Sequence, residues 1–279
     1  MERKLGVLLG CLRGTNEITS IPYLKAAGFE CCFTNSYMPD EVVAVRKATD
    51  AAGMELSFVH GAWWEHDEKG KRRFMNELWY EDGAYESLYN KVIASIDATA
   101  EAGVKTVVLH LTEGWQWQSP RVTDIGLARF DAIVEHAVKR GVHIAFENLF
   151  TLGTLAAMME RYERVPEVGF CYDNGHEHCY LETVPYLDLY GKRALCVHLH
   201  DNYGRDKNDI WKDADYHLLP FDGTFDFATM MRKLDKYGYA GPLIMEVGPQ
   251  HGKYADMSNE EYAAYLFSLV NRIANAHKQ

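Results

Sequence analysis

The chain has 279 residues, 47% of them hydrophobic and 25% charged, with a formal net charge of −11. That balance is globular and excludes a disordered chain, and the excess of acid opposes long-range attraction to nucleic acid or to an anionic membrane, whose phosphates it would repel. No run approaches the roughly 20 apolar residues that a membrane-spanning helix needs.

In chain order, the opening MERKLGVLLGCL joins a basic start to an apolar run that is brief and is followed by no A-x-A cleavage site, so it reads as a first strand and not as a signal peptide. A phrase then recurs, in which a helical stretch ends at a glycine and an apolar run follows. The glycines are Gly28, Gly53, Gly103, Gly141, Gly191 and Gly238, a residue suited to the left-handed conformation just past a helix end. Between them, Val92, Ile93, Ile96 and Ala100 share one helical face, as do Leu127, Phe130, Ile133, Val134 and Ala137. The apolar runs are LGVLLGCL, ECCFTNSY, ELSFVHG, TVVLHLT, HIAFENL, VGFCYDN, ALCVHLHD and PLIMEV. They are short and nearly continuous in apolar character, as expected of a parallel sheet covered on both faces.

Eight strands alternating with helices, with no linker dividing the chain, predict an α/β protein: a (β/α)8 TIM barrel as a single domain over residues 1–279, with an open doubly wound sheet as the alternative. The longest connections, 61–83 and 202–223, follow strands, the side on which barrel enzymes keep their sites. The basic run KGKRR at 69–73 lies among acidic residues and reads as a solvated mixed-charge loop. Six cysteines without C-x-x-C spacing (Cys11, Cys31, Cys32, Cys171, Cys179, Cys196) predict reduced thiols and a cytoplasmic protein.

Six of the eight runs finish in a residue that can bind metal: His60, His110, Glu147, Asp173, His198 with His200, and Glu246. Any one alone would be an ordinary hydrogen-bonding residue. Together, with no Lys or Arg ending these strands, they would bury carboxylates at high cost unless a divalent cation joined them. The mixed oxygen and nitrogen set suits manganese, cobalt, zinc or magnesium. His198 and His200, two apart on a strand, share a face that Asp201 does not. Cys171 and Cys196 sit one layer deeper and read as packing.

At FEN around Glu147, YDNGH around Asp173, VHLHDN around His198 and IMEVG around Glu246, the sequence resembles the xylose isomerase-like barrel superfamily over nearly its whole length. That group holds sugar isomerases, ketose 3-epimerases, inosose dehydratase-like proteins and apurinic-site endonucleases. The resemblance implies a divalent metal held by Glu147, Asp173, His198 and Glu246, with His176 facing the substrate. The H-x-x-D form favours His198 as the ligand, with His200 as the alternative. His60, His110, His176 and the pair Asp215 and His217 in DYH match the additional ligands of a three-zinc endonuclease in the group.

The expected reaction is isomerisation or epimerisation of a sugar or sugar phosphate. The metal would stabilise an enediolate while Glu147 and Glu246 remove and return a proton. Trp63, Trp64 and Trp115 would cover the sugar's apolar face, or else simply cover the barrel mouth or a subunit contact. Arg205 would hold a terminal hydroxyl or phosphate. The alternatives are hydrolysis at abasic DNA, which the acidic balance and the lack of a basic stripe oppose, a keto-polyol dehydratase or other lyase, and a metal-bound barrel without catalysis. Self-association into a homo-oligomer stays open.

Overall fold

The computed structural model describes residues 2–81, 84–113, 120–150, 152–180 and 184–278. Eight parallel strands form one sheet: β1 (Leu5–Leu8), β2 (Cys31–Thr34), β3 (Glu55–His60), β6 (Thr106–Leu109), β7 (His143–Glu147), β8 (Val168–Asp173), β9 (Ala194–His198) and β10 (Leu243–Met245). The order is β10-β1-β2-β3-β6-β7-β8-β9, so chain order is kept around the ring. A bridge between Leu199 and Met245 closes it, with Leu199 N–H donating to the Ile244 carbonyl and Glu246 N–H to that of Leu199 (both 3.0 Å). The expected single-domain TIM barrel is the fold found.

Helices α1 (Glu17–Ala27), α2 (Pro39–Ala52), α3 (Glu86–Glu101), α4 (Asp124–Arg140), α5 (Leu152–Arg161), α8 (Phe227–Lys236) and α9 (Asn259–Asn275) separate the strands, with the short α6 (Asn174–Tyr180) and α7 (Tyr186–Tyr190) after β8. No helix among the described residues is long and apolar enough to cross a membrane. Alternation along each strand divides the core in two. Val7, Cys32, Val59, Val107, Ile144 and Phe170 face the helices. Cys31, Phe33, Phe58, Val108, Ala145, Cys171, Cys196 and Ile244 form a separate buried cluster inside the ring. All six cysteines are buried and free.

Five of the six helix-ending glycines have φ between 65° and 113°. Gly191 differs. Its φ is −56° and it opens a 3-10 turn, Gly191–Arg193; a Cβ there would meet the Tyr237 ring, so close packing and not handedness requires glycine. The basic run is also more than a loop. Residues 64–74 form a hairpin, β4 (Trp64–His66) with β5 (Arg72–Phe74), in which the Arg72 guanidinium stacks 4.2 Å from the Trp64 ring and Arg73 pairs with Asp67 and Glu77.

Candidate metal centre

Past the ends of β7, β8 and β9, an asparagine stitches the strand end to its neighbour. Asn148 exchanges hydrogen bonds with the Asp173 backbone (Nδ2 to carbonyl and N–H to Oδ1, both 2.8 Å). Asn174 does the same with His200 (2.8 and 3.0 Å), and the Asn202 side chain donates to the Gly175 carbonyl (3.0 Å). These three buried amides continue the ladder past the last regular strand bonds and satisfy backbone groups that strand ends otherwise leave unpaired. They also fix the residues beside them.

Glu147 and Asp173, each beside one of these asparagines, join His198 and Glu246 in the first donor cluster, with potential ligand atoms all within 4.8 Å of one another. His198 Nδ1 lies 3.3 Å from Glu147 Oε1, 3.1 Å from Glu246 Oε2 and 3.9 Å from Asp173 Oδ2. Its ring rests on Phe33 (centroids 5.0 Å apart) and beside Phe58 (5.5 Å), so the inner core is the floor of the site. Cys171 also comes within reach of Glu147 and His198. Burial among apolar side chains pushes its thiol well above the usual range, which suits packing and not ligation.

The second cluster is His60, His110 and Glu147. His60 Nδ1 donates to the Gly61 carbonyl (3.0 Å) and His110 Nδ1 pairs with Glu113 Oε2 (2.8 Å). Both Nε2 atoms therefore face Glu147 Oε2, at 3.5 and 3.3 Å. A ring held by Nδ1–H presents an Nε2 lone pair, the tautomer a metal ligand needs.

The third is His176, His200, Asp215 and His217. His176 Nδ1 donates to the Asn148 carbonyl (3.0 Å) and His217 Nδ1 to that of Glu246 (3.2 Å), which turns their Nε2 atoms onto Asp215 Oδ2 at 3.2 and 3.1 Å. His200 stacks on His217 (3.9 Å between centroids) and its Nε2 lies 3.1 Å from Asp173 Oδ1. A Cβ on Gly175 would collide with the His200 ring, which explains the glycine of YDNGH. Geometry thus separates the two histidines of β9's end: His198 belongs to the first cluster and His200 to the third.

The acidic loop that supplies Asp215 and His217 is tied down by Asp201. That carboxylate accepts from the backbone N–H of Asn202, Phe221, Gly223 and Phe225, at 2.8 to 3.1 Å, and its own backbone pairs with Leu218. A Cβ on Gly223 would strike the Asn202 carbonyl and the Asp201 carboxylate.

The donor set fits a divalent metal. Ion pairs of Glu147, Asp173, Asp215 and Glu246 among the described residues are all with imidazoles. Glu147 Oε2, both ring nitrogens of His198, His200 Nδ1 and Asp215 Oδ1 are buried without a hydrogen-bond partner, a costly state that a cation at the clusters would relieve. Burial opposes charge throughout. Even so, the His198, His110 and His176 imidazoles hold the Glu147 carboxyl well below its usual range, and Glu113 with Glu147 lifts His110 to about 9. Asp215 lifts His217 to about 10 against the same burial.

From these clusters His60, His110, Glu147, His176, Asp215, His217 and Glu246 line a cavity of about 280 Å³, together with Asn35, Trp63, Glu113, Leu149, Phe150, Tyr180 and Asp213. Trp63 lies edge-on to His60 (4.7 Å) within that lining. Trp64 points instead to its own hairpin, under Arg72. Trp115 lies outside the described residues. Arg205 is not in the lining; its Nη2 reaches the Ile210 carbonyl at 3.5 Å. Sequence reasoning missed Asn35, Glu113, Phe150, Tyr180 and the three stitching asparagines. The repeat of acid-then-Asn in FEN, YDN and HDN was a readable signal for the last.

A family profile described as xylose isomerase-like TIM barrel matches residues 21–264. The chain is 28% identical to protein y4fM of Sinorhizobium fredii, over 92% of this chain and 89% of that one. It is 23% identical to an inosose dehydratase of Glaesserella parasuis, over 80% and 79%. Among solved structures, it is similar to the IOLI protein with a bound zinc atom (TM-score 0.74, 14% identity, 98% and 99% covered) and to a 3-keto-D-glucoside 4-epimerase from E. coli (TM-score 0.68, 16% identity, 96% and 100%). With eight-stranded closure, the strand-end donors and the profile in agreement, the chain belongs to the xylose isomerase-like TIM barrel family.

Proposed function

We propose that this protein is a metal-dependent epimerase or isomerase that moves a proton next to the carbonyl group of a sugar or sugar phosphate. The observation that carries this reading is the pair of glutamates from separate strand ends, Glu147 and Glu246, which approach one imidazole nitrogen of His198 at 3.3 and 3.1 Å and line the same cavity. Glu147, Asp173, His198 and Glu246 would hold the ion. When bound, a divalent metal supplies Lewis-acid polarisation of a carbonyl and its neighbouring hydroxyl. Glu246, whose side chain is 16% accessible against 1% for Glu147, takes the first proton, and Glu147 returns one from beneath. Each contributes about 10²- to 10⁴-fold as base or acid. The names of the similar epimerase structure and inosose dehydratase relative support carbonyl chemistry, and dehydration of a keto-polyol would begin with the same proton removal.

A second reading draws on the other two clusters. An ion at His60 and His110 would take Glu147 Oε2, committing both oxygens of that carboxylate and leaving Glu246 without a second proton carrier. Phosphoester hydrolysis at a three-metal site, as at abasic DNA, then becomes the better use of the geometry. One experiment separates them. The metal-loaded protein, with its ion content measured, is incubated in heavy water with a panel of ketoses and keto-inositols, and separately with abasic DNA. Deuterium uptake beside a carbonyl supports the first reading; about three ions per chain with strand cleavage and no uptake overturns it.

A further inference from the structure

We infer that the cavity takes an uncharged polyhydroxy carbonyl compound, in preference to its phosphate ester or a sugar acid, and that Asn35 is its positioning residue. The inference rests on the proton-transfer reading above and deepens it. No lysine or arginine lines the cavity among the described residues. Residues 114–119, 151 and 181–183, outside the description, contain none in the sequence either.

Three arginines of the loops following β1 and β3 are committed elsewhere. Arg13 donates to the Gln250 and Ala255 carbonyls, Arg73 pairs with Asp67 and Glu77, and Arg72 lies on Trp64. Beyond the metal donors the wall offers the acceptors Glu113, Asp213 and Asn35 Oδ1, and its donors, the Tyr180 hydroxyl, the Trp63 indole and the Asn35 amide, carry no charge. A phosphate could find positive charge only at the metal ligands, where it would displace the carbonyl that must react. A sugar hydroxyl, by contrast, is a donor that each of these oxygens can receive.

Asn35 is built for this use. It stands just past β2, across the ring from β7 to β9, in a loop clamped by Glu17. That carboxylate accepts from the backbone N–H of Asn35 (2.8 Å) and Ser36 (3.3 Å) and from the Thr34 hydroxyl. The clamp fixes the backbone; Asn35 lines the cavity, and its Oδ1 is buried with no partner. A buried acceptor without a donor is costly, and a ligand hydroxyl would satisfy it.

The test compares neutral compounds with their own monophosphates. Proton exchange in heavy water is followed by NMR for ketohexoses and keto-inositols and for their phosphate esters. Calorimetry then compares an unreactive hexitol with the hexitol phosphate on the same metal-loaded protein. The expected results are a kcat/KM at least 100-fold higher for the best neutral substrate than for its ester, and hexitol binding at least tenfold tighter than hexitol phosphate. Asn35→Ala should raise KM at least tenfold with kcat within about threefold and with metal content and melting temperature unchanged. Asn35→Lys should narrow the preference at least tenfold.

Equal or better handling of the phosphates, or an Asn35→Ala variant with unchanged KM, overturns the inference. Exchange from no compound of either kind sinks the proton-transfer reading, while the hexitol comparison still reports on charge selection and distinguishes the two failures.

Discussion

Two donor clusters share this barrel mouth and are built by different means. Glu147, Asp173, His198 and Glu246 stand at the ends of strands, held by the sheet, by asparagine stitches and by the Phe33 and Phe58 rings beneath. In the cluster of His176, His200, Asp215 and His217, only His200 follows a barrel strand directly; His176 rides on α6, and Asp215 and His217 come from the loop pinned by Asp201. His217 sits at φ 45°, a left-handed conformation that costs a non-glycine residue roughly 1–3 kcal/mol. The strand-borne set is thus formed by folding itself, whereas the loop-borne set depends on extra ties and carries strain.

The sharpest way to break that contrast is to empty one cluster at a time. Glu147→Gln removes a donor common to two clusters, and we expect it to lose ion content at both and to lower proton exchange by about 10²- to 10⁴-fold or more. His217→Ala should cost only the loop-borne ion, as read by elemental analysis. If His217→Ala emptied the strand-borne cluster too, the two would be one unit.

Proton linkage comes next. His110 and His217, raised to about 9 and about 10, hold protons at pH 7 in the metal-free protein, and an arriving ion must expel them. Apparent affinity should therefore rise between pH 6 and 8, by about one decade per pH unit for each proton displaced. Calorimetry in buffers of different ionisation enthalpy would count those protons; a pH-independent affinity would contradict the protonated clusters.

A third test loosens the loop alone. Asp201→Ala leaves four backbone amides without their acceptor, and we expect a loss of about 1–3 kcal/mol. Thermal melting should fall by several degrees, and the loop-borne ion should leave at lower chelator concentration than the strand-borne one.

The smallest effect concerns Glu177 on α6, whose carboxylate receives the Tyr186 N–H. Burial raises its pKa from 4.5 to about 7, so the folded protein binds the proton more tightly than the unfolded chain. Its contribution is fully present below about 4.5 and is lost as pH rises toward 7, at up to about 1.4 kcal/mol per pH unit. Glu177→Gln should flatten that part of the stability profile relative to the parent; identical slopes in both proteins would remove Glu177 from the account.

The same division explains what could be read from the sequence. Apolar runs introduced by glycine made the strands visible, and position at the carboxyl ends of those runs put Glu147, Asp173, His198 and Glu246 at one end of the barrel. The loop donors were visible as the letters DYH. Their location was not, because it depends on Asp201 accepting three distant amides and on Gly223 admitting the close approach. Trp64 misled because the apparent loop 64–74 pairs with itself, which spends the ring on Arg72. Asn35 left no trace, since an amide at a strand end carries no metal-binding signature and its meaning arises only from an unmet acceptor inside a cavity.

The ring has a seam. Seven of its junctions are ladders of two or more residue pairs, but β9 and β10 meet through the single bridge of Leu199 with Met245. His198 and Glu246 stand immediately on either side of that join. An ion clasped between them would act as a rivet across the weakest joint of the wall, so stripping it should speed hydrogen exchange first at the amides of Leu199 and Glu246, ahead of any change in the opposite wall.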